Sequence, residues 1–325
     1  MNASTDSPAV TLSSAVLGQY GRLSLYNSPF VAHDRGCAVD LYPGDGIEPD
    51  PEDGPTVPAP SPVAGEVVDV RTVTAPDQPY AADDDHLLVV DTGSATGPGA
   101  PRFPDGRAPL ARILHVDPAV EVGDRVAVGD RLGRLVRAGF FAPWVANHLH
   151  LGFRPPGADT HRASGSLPLE LDPSLRVEPL AWDGTGTVVA PGDSYAVLDA
   201  PTRETPGEGV AGIAATGDEG AVAGVLDGGF PHYDFGGLLA AGGDRNSANG
   251  DGGSGPETVG LSGTPIGRVD GRTVAWDDLT VLANGRPVRG IALCLARERT
   301  GAKLVGADLP FATGEEVTVE IVREG

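Results

Sequence analysis

The sequence predicts an all-β chain built from two β-rich domains. Gly (47) and Pro (30) together make up nearly a quarter of the 325 residues, which favours short strands and tight turns over long helices. The regular segments alternate apolar and polar residues at the two-residue period of a strand. A length of 325 residues suits two domains better than one, and at 40% hydrophobic residues a sizeable core is available.

Residues 1–29 read as a mixed lead-in with one strand candidate, Arg22–Tyr26. Residues 43–62 are rich in Pro and acid and read as an exposed loop. The first domain is expected over 30–155. Its strands are VAGEVVDVRTV (63–73), HLLVVDTG (86–93), LARILHV (110–116) and HLHLGFR (148–154). Between the last two, VEVGDRVAVGDRLGRL (120–135) repeats a Gly-Asp turn six residues apart, at Gly123-Asp124 and Gly129-Asp130. Short strands joined by such turns make a curled antiparallel sheet. Residues 156–175 read as a linker. A second β-rich domain is expected over 176–325, with VVAPGDSYAVL, RTVAWDDLTVL, VRGIALCLAR and VTVEIVRE as its clearest strands. The low-complexity stretch 241–256 reads as a disordered insertion.

The net charge is −22, Asp (30) outnumbers Glu (15), and Lys303 is the only lysine among 23 basic residues. This pattern resembles proteins of extreme halophiles, in which an acidic surface holds hydration at high salt. It excludes a nucleic-acid partner, which needs a basic stripe. The apolar runs are too short to span a bilayer, and the N-terminus lacks a basic n-region and a long apolar h-region. The expected compartment is therefore the cytoplasm. Cys37 and Cys294 are too far apart in sequence to suggest a disulfide scaffold. Oligomeric state is not legible.

Five of the seven histidines fall within 30–155; of these His115, His148 and His150 belong to the curled sheet, and His33 lies just before it. His148 and His150 form an H-x-H pair in a strand-like run. Side chains two apart on a strand share a face, and two imidazoles on one face suit a first-row metal. His86 reads as a surface residue, His161 as a loop residue and His232 as a satisfied turn histidine. Trp144 reads as core, with a cleft wall as the alternative.

The order of these elements is similar to that of the LytM/lysostaphin-type zinc peptidases (metallopeptidase family 23). ILHVDPAVEVGDRVAVGDRLGRL followed by NHLHLGFR resembles that family's strand-ending His, glycine hairpin and closing H-x-H strand. Upstream, His33, VDLYPG with Asp40, and SPVAGEVV resemble its metal-binding His, Asp-Leu motif and next strand. The resemblance runs from about residue 30 to residue 154. It implies a duplicated hybrid motif fold, with zinc held by His33, Asp40 and His150 and an activated water in the fourth position. His115 and His148 are implied as non-ligating catalytic residues, one as general base and both as stabilisers of the oxyanion. The implied substrate is a peptide or peptide-like amide, in a cleft lined by loops 94–109 and 138–147. A catalytically inactive binding module that keeps the fold is the alternative.

The spacing departs from the family at one place. The family sets its first His four residues before the Asp, where this chain has Gly36, and His33 lies seven before Asp40. On a regular strand an odd offset sends two side chains to opposite faces, so convergence requires a bulge or turn at Gly36. Cys37 reads as a small buried hydrophobe, with a soft metal ligand as the alternative. Two other families share the hairpin or the paired histidines. Biotinyl and lipoyl carriers need a lysine in the hairpin turn, and residues 60–155 contain none. A phosphotransfer domain of the glucose-permease IIA type needs a partner system for which the sequence offers no sign.

Overall fold

A computed structural model describes residues 9–44, 48, 56–94, 100–101, 107–203, 208–217, 220–240 and 256–323. The chain is nearly all β, 47% strand and 2% helical, with a second β-rich C-terminal region. It divides into two compact units. The first comprises Met1–Tyr20 and Arg35–Asp172, and the second Gly21–Asp34 and Pro173–Gly325.

The first unit is organised around five strands: β1 (Ala38–Tyr42), β2 (Gly65–Val73), β3 (Asp85–Asp91), β4 (Leu110–Leu114) and β5 (Leu149–Arg154). All pair antiparallel, in the order β2-β3-β4-β5-β1. Register decides what each face carries, because residues directly opposite point the same way. Leu88, Ile113, Leu151 and Val39 line up across four strands as one apolar row. The neighbouring row, on the other face, reads Leu87, Leu114, His150 and Asp40. Both rows are buried, so this sheet has no solvent face here.

The twin Gly-Asp turns form as the sequence suggests. Gly123 and Gly129 have φ of 99° and 90°, a left-handed region open to glycine. In each turn an Asp Oδ2 accepts a backbone N–H three residues back at 2.8 Å, Asp124 from Glu121 and Asp130 from Ala127. The strand Arg131–Leu135 then pairs with Val116–Pro118 on one side and Pro58–Pro60 on the other. The stretch 43–62 is thus not all loop: Ala59 is fully buried, and its flanking prolines sit on an edge strand, where no ladder donor is required. Residues 156–172, read from the sequence as linker, fold with the first unit. Leu169–Leu171 pairs in parallel with Val10–Leu12, and Leu167 and Leu169 are buried.

The second unit is a mainly antiparallel assembly around β6 (Val210–Thr216), β7 (Val222–Phe230) and β8 (Phe235–Leu239), with Val177–Leu180 running parallel beside β6. Its core includes Val188, Leu198, Ile213, Leu226, Phe230 and Ile291. The Arg22–Ser24 strand, shorter than the run read from sequence, pairs with Leu295–Ala296. Of the stretch 241–256, only Pro256 lies within the described residues.

Candidate metal centre

Asp40 and His150 face each other across the β1–β5 ladder. Asp40 is 3% exposed, and its Oδ1 lies 3.1 Å from His150 Nδ1 and 3.5 Å from His148 Nε2. Two donors held about 2.0 Å from one tetrahedral ion stand about 3.3 Å apart, so the Asp40–His150 separation matches a shared ligand shell. His33, Asp40 and His150, all buried, form a group able to hold a metal: each offers one ligand atom, and these atoms lie within 4.8 Å of one another. The donor set, two imidazoles and a carboxylate, fits a first-row ion such as zinc.

The altered spacing before Asp40 does not act on a regular strand. Residues 31–36 are a run of turn, Gly36 has φ of 60°, and β1 begins only at Ala38. His33 Nδ1 lies 2.7 Å from the Leu25 carbonyl, so Nδ1 carries the proton and Nε2 the lone pair. Cys37 is not a member of the group. Its Sγ lies 3.8 Å from the Arg35 carbonyl.

His148 directly precedes β5. Its Nδ1 donates to the Ala146 carbonyl at 2.9 Å, and its ring stacks on Phe141 at 4.3 Å and lies 4.9 Å from Tyr42. His115 interrupts the run 110–116, ending β4 with a φ of 69°, a costly conformation for a residue with a Cβ. This turn brings its ring within 5.5 Å of His148 and 6.0 Å of His150, centroid to centroid. It also sets Nδ1 2.6 Å from Asp85 Oδ2.

Asp85 is the residue sequence reasoning missed. It opens β3, is fully buried, and also accepts the His86 N–H at 2.7 Å. Burial alone raises its carboxyl pKa, but the charge and hydrogen bond of His115, with the His86 amide, outweigh burial and leave it below the ordinary carboxylate value. Asp85 sits beside Asp83 and Asp84, and nothing local marks it as the buried one of the three. Its signal is the β3–β4 register, which sets Leu87 opposite Leu114 and so brings the strand start towards His115.

The remaining histidines stand apart from this cluster. His161 is half exposed and pairs with Asp69 at 2.8 Å, while His86 lies 3.9 Å from Asp117. The His232 ring nitrogens are buried, and desolvation, helped by Arg289, lowers its pKa to about 3. Trp144 is buried. Of loops 94–109 and 138–147, most of the first lies outside the described residues.

Part of the chain is similar to the catalytic domain of the antimicrobial peptidase lysostaphin from Staphylococcus simulans. Identity is 18%, over 46% of this chain and 90% of that one, with a TM-score of 0.26. No curated protein matches. Residues 11–171 match the N-terminal domain, and residues 178–322 the C-terminal domain, of a family described as a domain of unknown function, DUF8155. Together the two matches span nearly the whole sequence, and the chain belongs to the DUF8155 family.

Proposed function

We propose that this protein is a zinc-dependent hydrolase acting on peptide or amide bonds. The observation that carries the reading is the cross-strand pairing of His150 with Asp40, Nδ1 to Oδ1 at 3.1 Å, beside two further buried histidines. His33 through Nε2, Asp40 and His150 are the proposed ligands. A zinc ion there supplies Lewis acidity, polarising a carbonyl and acidifying water.

The chain's own groups supply the proton handling. His115 is the proposed general base: Asp85 fixes its tautomer with Nδ1–H, leaves Nε2 to accept a proton, and stabilises the imidazolium that forms. His148 is anchored by Ala146 and Phe141, and in its doubly protonated form offers Nε2–H to a developing oxyanion. The substrate is read as a peptide. The acidic composition supports a chain adapted to high salt, with the cytoplasm as the proposed compartment.

Metal analysis of protein purified in high salt tests this. Wild type should carry one zinc per chain, and His33→Ala, Asp40→Ala and His150→Ala should each lose it. His115→Ala should keep the metal and lower hydrolysis of a peptide library by about 10²–10⁴-fold. Wild-type protein without stoichiometric zinc would refute the hydrolase; zinc with no turnover would leave a metal-binding module.

A further inference from the structure

We propose that Asp227, in the second unit, is a positioning residue for the metal ligand His33. The inference rests on the ligand assignment above. Asp227 lies on β7, is fully buried, and belongs to the same compact unit as the loop Ser24–Asp34. Its carboxylate is wrapped by that loop. Oδ1 accepts from Ser24 Oγ at 2.5 Å, and Oδ2 accepts from the Leu25 N–H at 2.6 Å and the Tyr26 N–H at 3.3 Å. Ser24 Oγ in turn accepts the Asn27 N–H at 3.0 Å.

Leu25 is the hinge of the argument. Its amide is held by Asp227, and its carbonyl receives His33 Nδ1–H at 2.7 Å. The carboxylate, one peptide group and the imidazole therefore form a single relay. Fixing the Leu25 carbonyl fixes both the tautomer and the ring orientation of His33, and so presents Nε2 as the ligand atom.

A second observation comes from packing. Tyr26 sits against a glycine-paved surface of β7 and β8. A Cβ on Gly237 would meet the Tyr26 ring at 2.2 Å, and one on Gly228 would meet the Tyr26 carbonyl at 3.4 Å. The glycines leave room for the loop to lie flat on the sheet, where Asp227 can reach its amides. The far end of the loop is tied down as well, since Thr273 Oγ1 donates to the Asp34 carbonyl at 3.4 Å.

The test is zinc affinity of the full-length protein by chelator competition, for wild type, Asp227→Asn, Gly237→Ala and Val188→Ala. Val188 is buried in the hydrophobic core of the same unit and is not a member of the Asp227–Leu25–His33 relay, so it reports the effect of lost stability. Asp227→Asn and Gly237→Ala should weaken zinc binding about 10–100-fold, while Val188→Ala leaves it within twofold. Nitrogen-15 spectra of histidine-labelled wild type supply an independent readout: His33 should show a protonated Nδ1 and a coordinated Nε2. Coordination through Nδ1, equal affinity in Asp227→Asn and wild type, or equal weakening by Val188→Ala overturns the proposal. A wild type that binds no zinc removes the proposed function and this inference together, whereas zinc held equally tightly by wild type and Asp227→Asn removes the inference alone.

Discussion

His115 holds a left-handed backbone conformation that costs on the order of 1 kcal/mol in a residue with a Cβ. What it gains is a 2.6 Å bond to a fully buried carboxylate. Asp85→Asn keeps the shape but removes the charge that holds the His115 tautomer. Its expected outcome is a fall in kcat of about 10²-fold or more with zinc content unchanged, measured by single-turnover hydrolysis and metal analysis on the same sample. Lost zinc in this variant would place Asp85 in the metal shell instead. A second prediction concerns His232. Its ring stays neutral in the folded chain down to about pH 3, whereas an unfolded histidine takes a proton near 6.5. Between those values the unfolded state binds the extra proton, so stability falls as pH falls through this window. The slope is at most about 1.4 kcal/mol per pH unit for this group. Denaturant unfolding of wild type and His232→Phe from pH 7 to pH 4 should show a shallower acid loss in the variant, and parallel curves would count against it.

At the scale of elements, the glycine hairpin is two copies of one turn. Each relies on a glycine at positive φ and on an aspartate that accepts the backbone N–H three residues back. Both hydrogen bonds are exposed, so each is worth little alone. Asp124→Ala and Asp130→Ala should each cost about 1 kcal/mol. The double variant should cost about the sum, since each turn satisfies its own donor. Urea unfolding of all three checks this, and strong non-additivity would show that the two turns fold as one. The strands around the hairpin were readable from alternation and Gly-Asp turns, as was the H-x-H pair. The break at His115 was not. The segment LARILHV reads as one strand, and the positive φ that splits it accompanies a bond to a carboxylate thirty residues earlier in the chain. The edge strand Pro58–Pro60 was hidden for a similar reason: prolines argue against a strand until a partner such as Arg131–Leu135 supplies an edge.

For the whole molecule, a net charge of −22 is the dominant long-range term. Self-repulsion among carboxylates opposes compaction, and salt screens it: the Debye length shrinks from about 8 Å at 0.15 M to about 3 Å at 1 M. Thermal unfolding should therefore move to higher temperature between 0.15 M and 2 M KCl. A melting temperature that stays level or drops would overturn the high-salt reading. Among the described residues no helix is long and apolar enough to cross a membrane.

Composition and two-residue alternation were enough to recognise an all-β chain with two β-rich parts, and ordered motifs were enough to single out His33, Asp40, His115, His148 and His150. These are properties of neighbours along the chain, and strand periodicity is local physics. Tertiary structure alone decided that Asp40 stands opposite His150, that Asp85 underlies His115, and that Asp227 grips the loop bearing His33. Those facts depend on register and on contacts between residues 30 to about 200 positions apart. A single sequence carries no local signal for such pairings, because the free energy that selects them is the burial of whole rows of side chains.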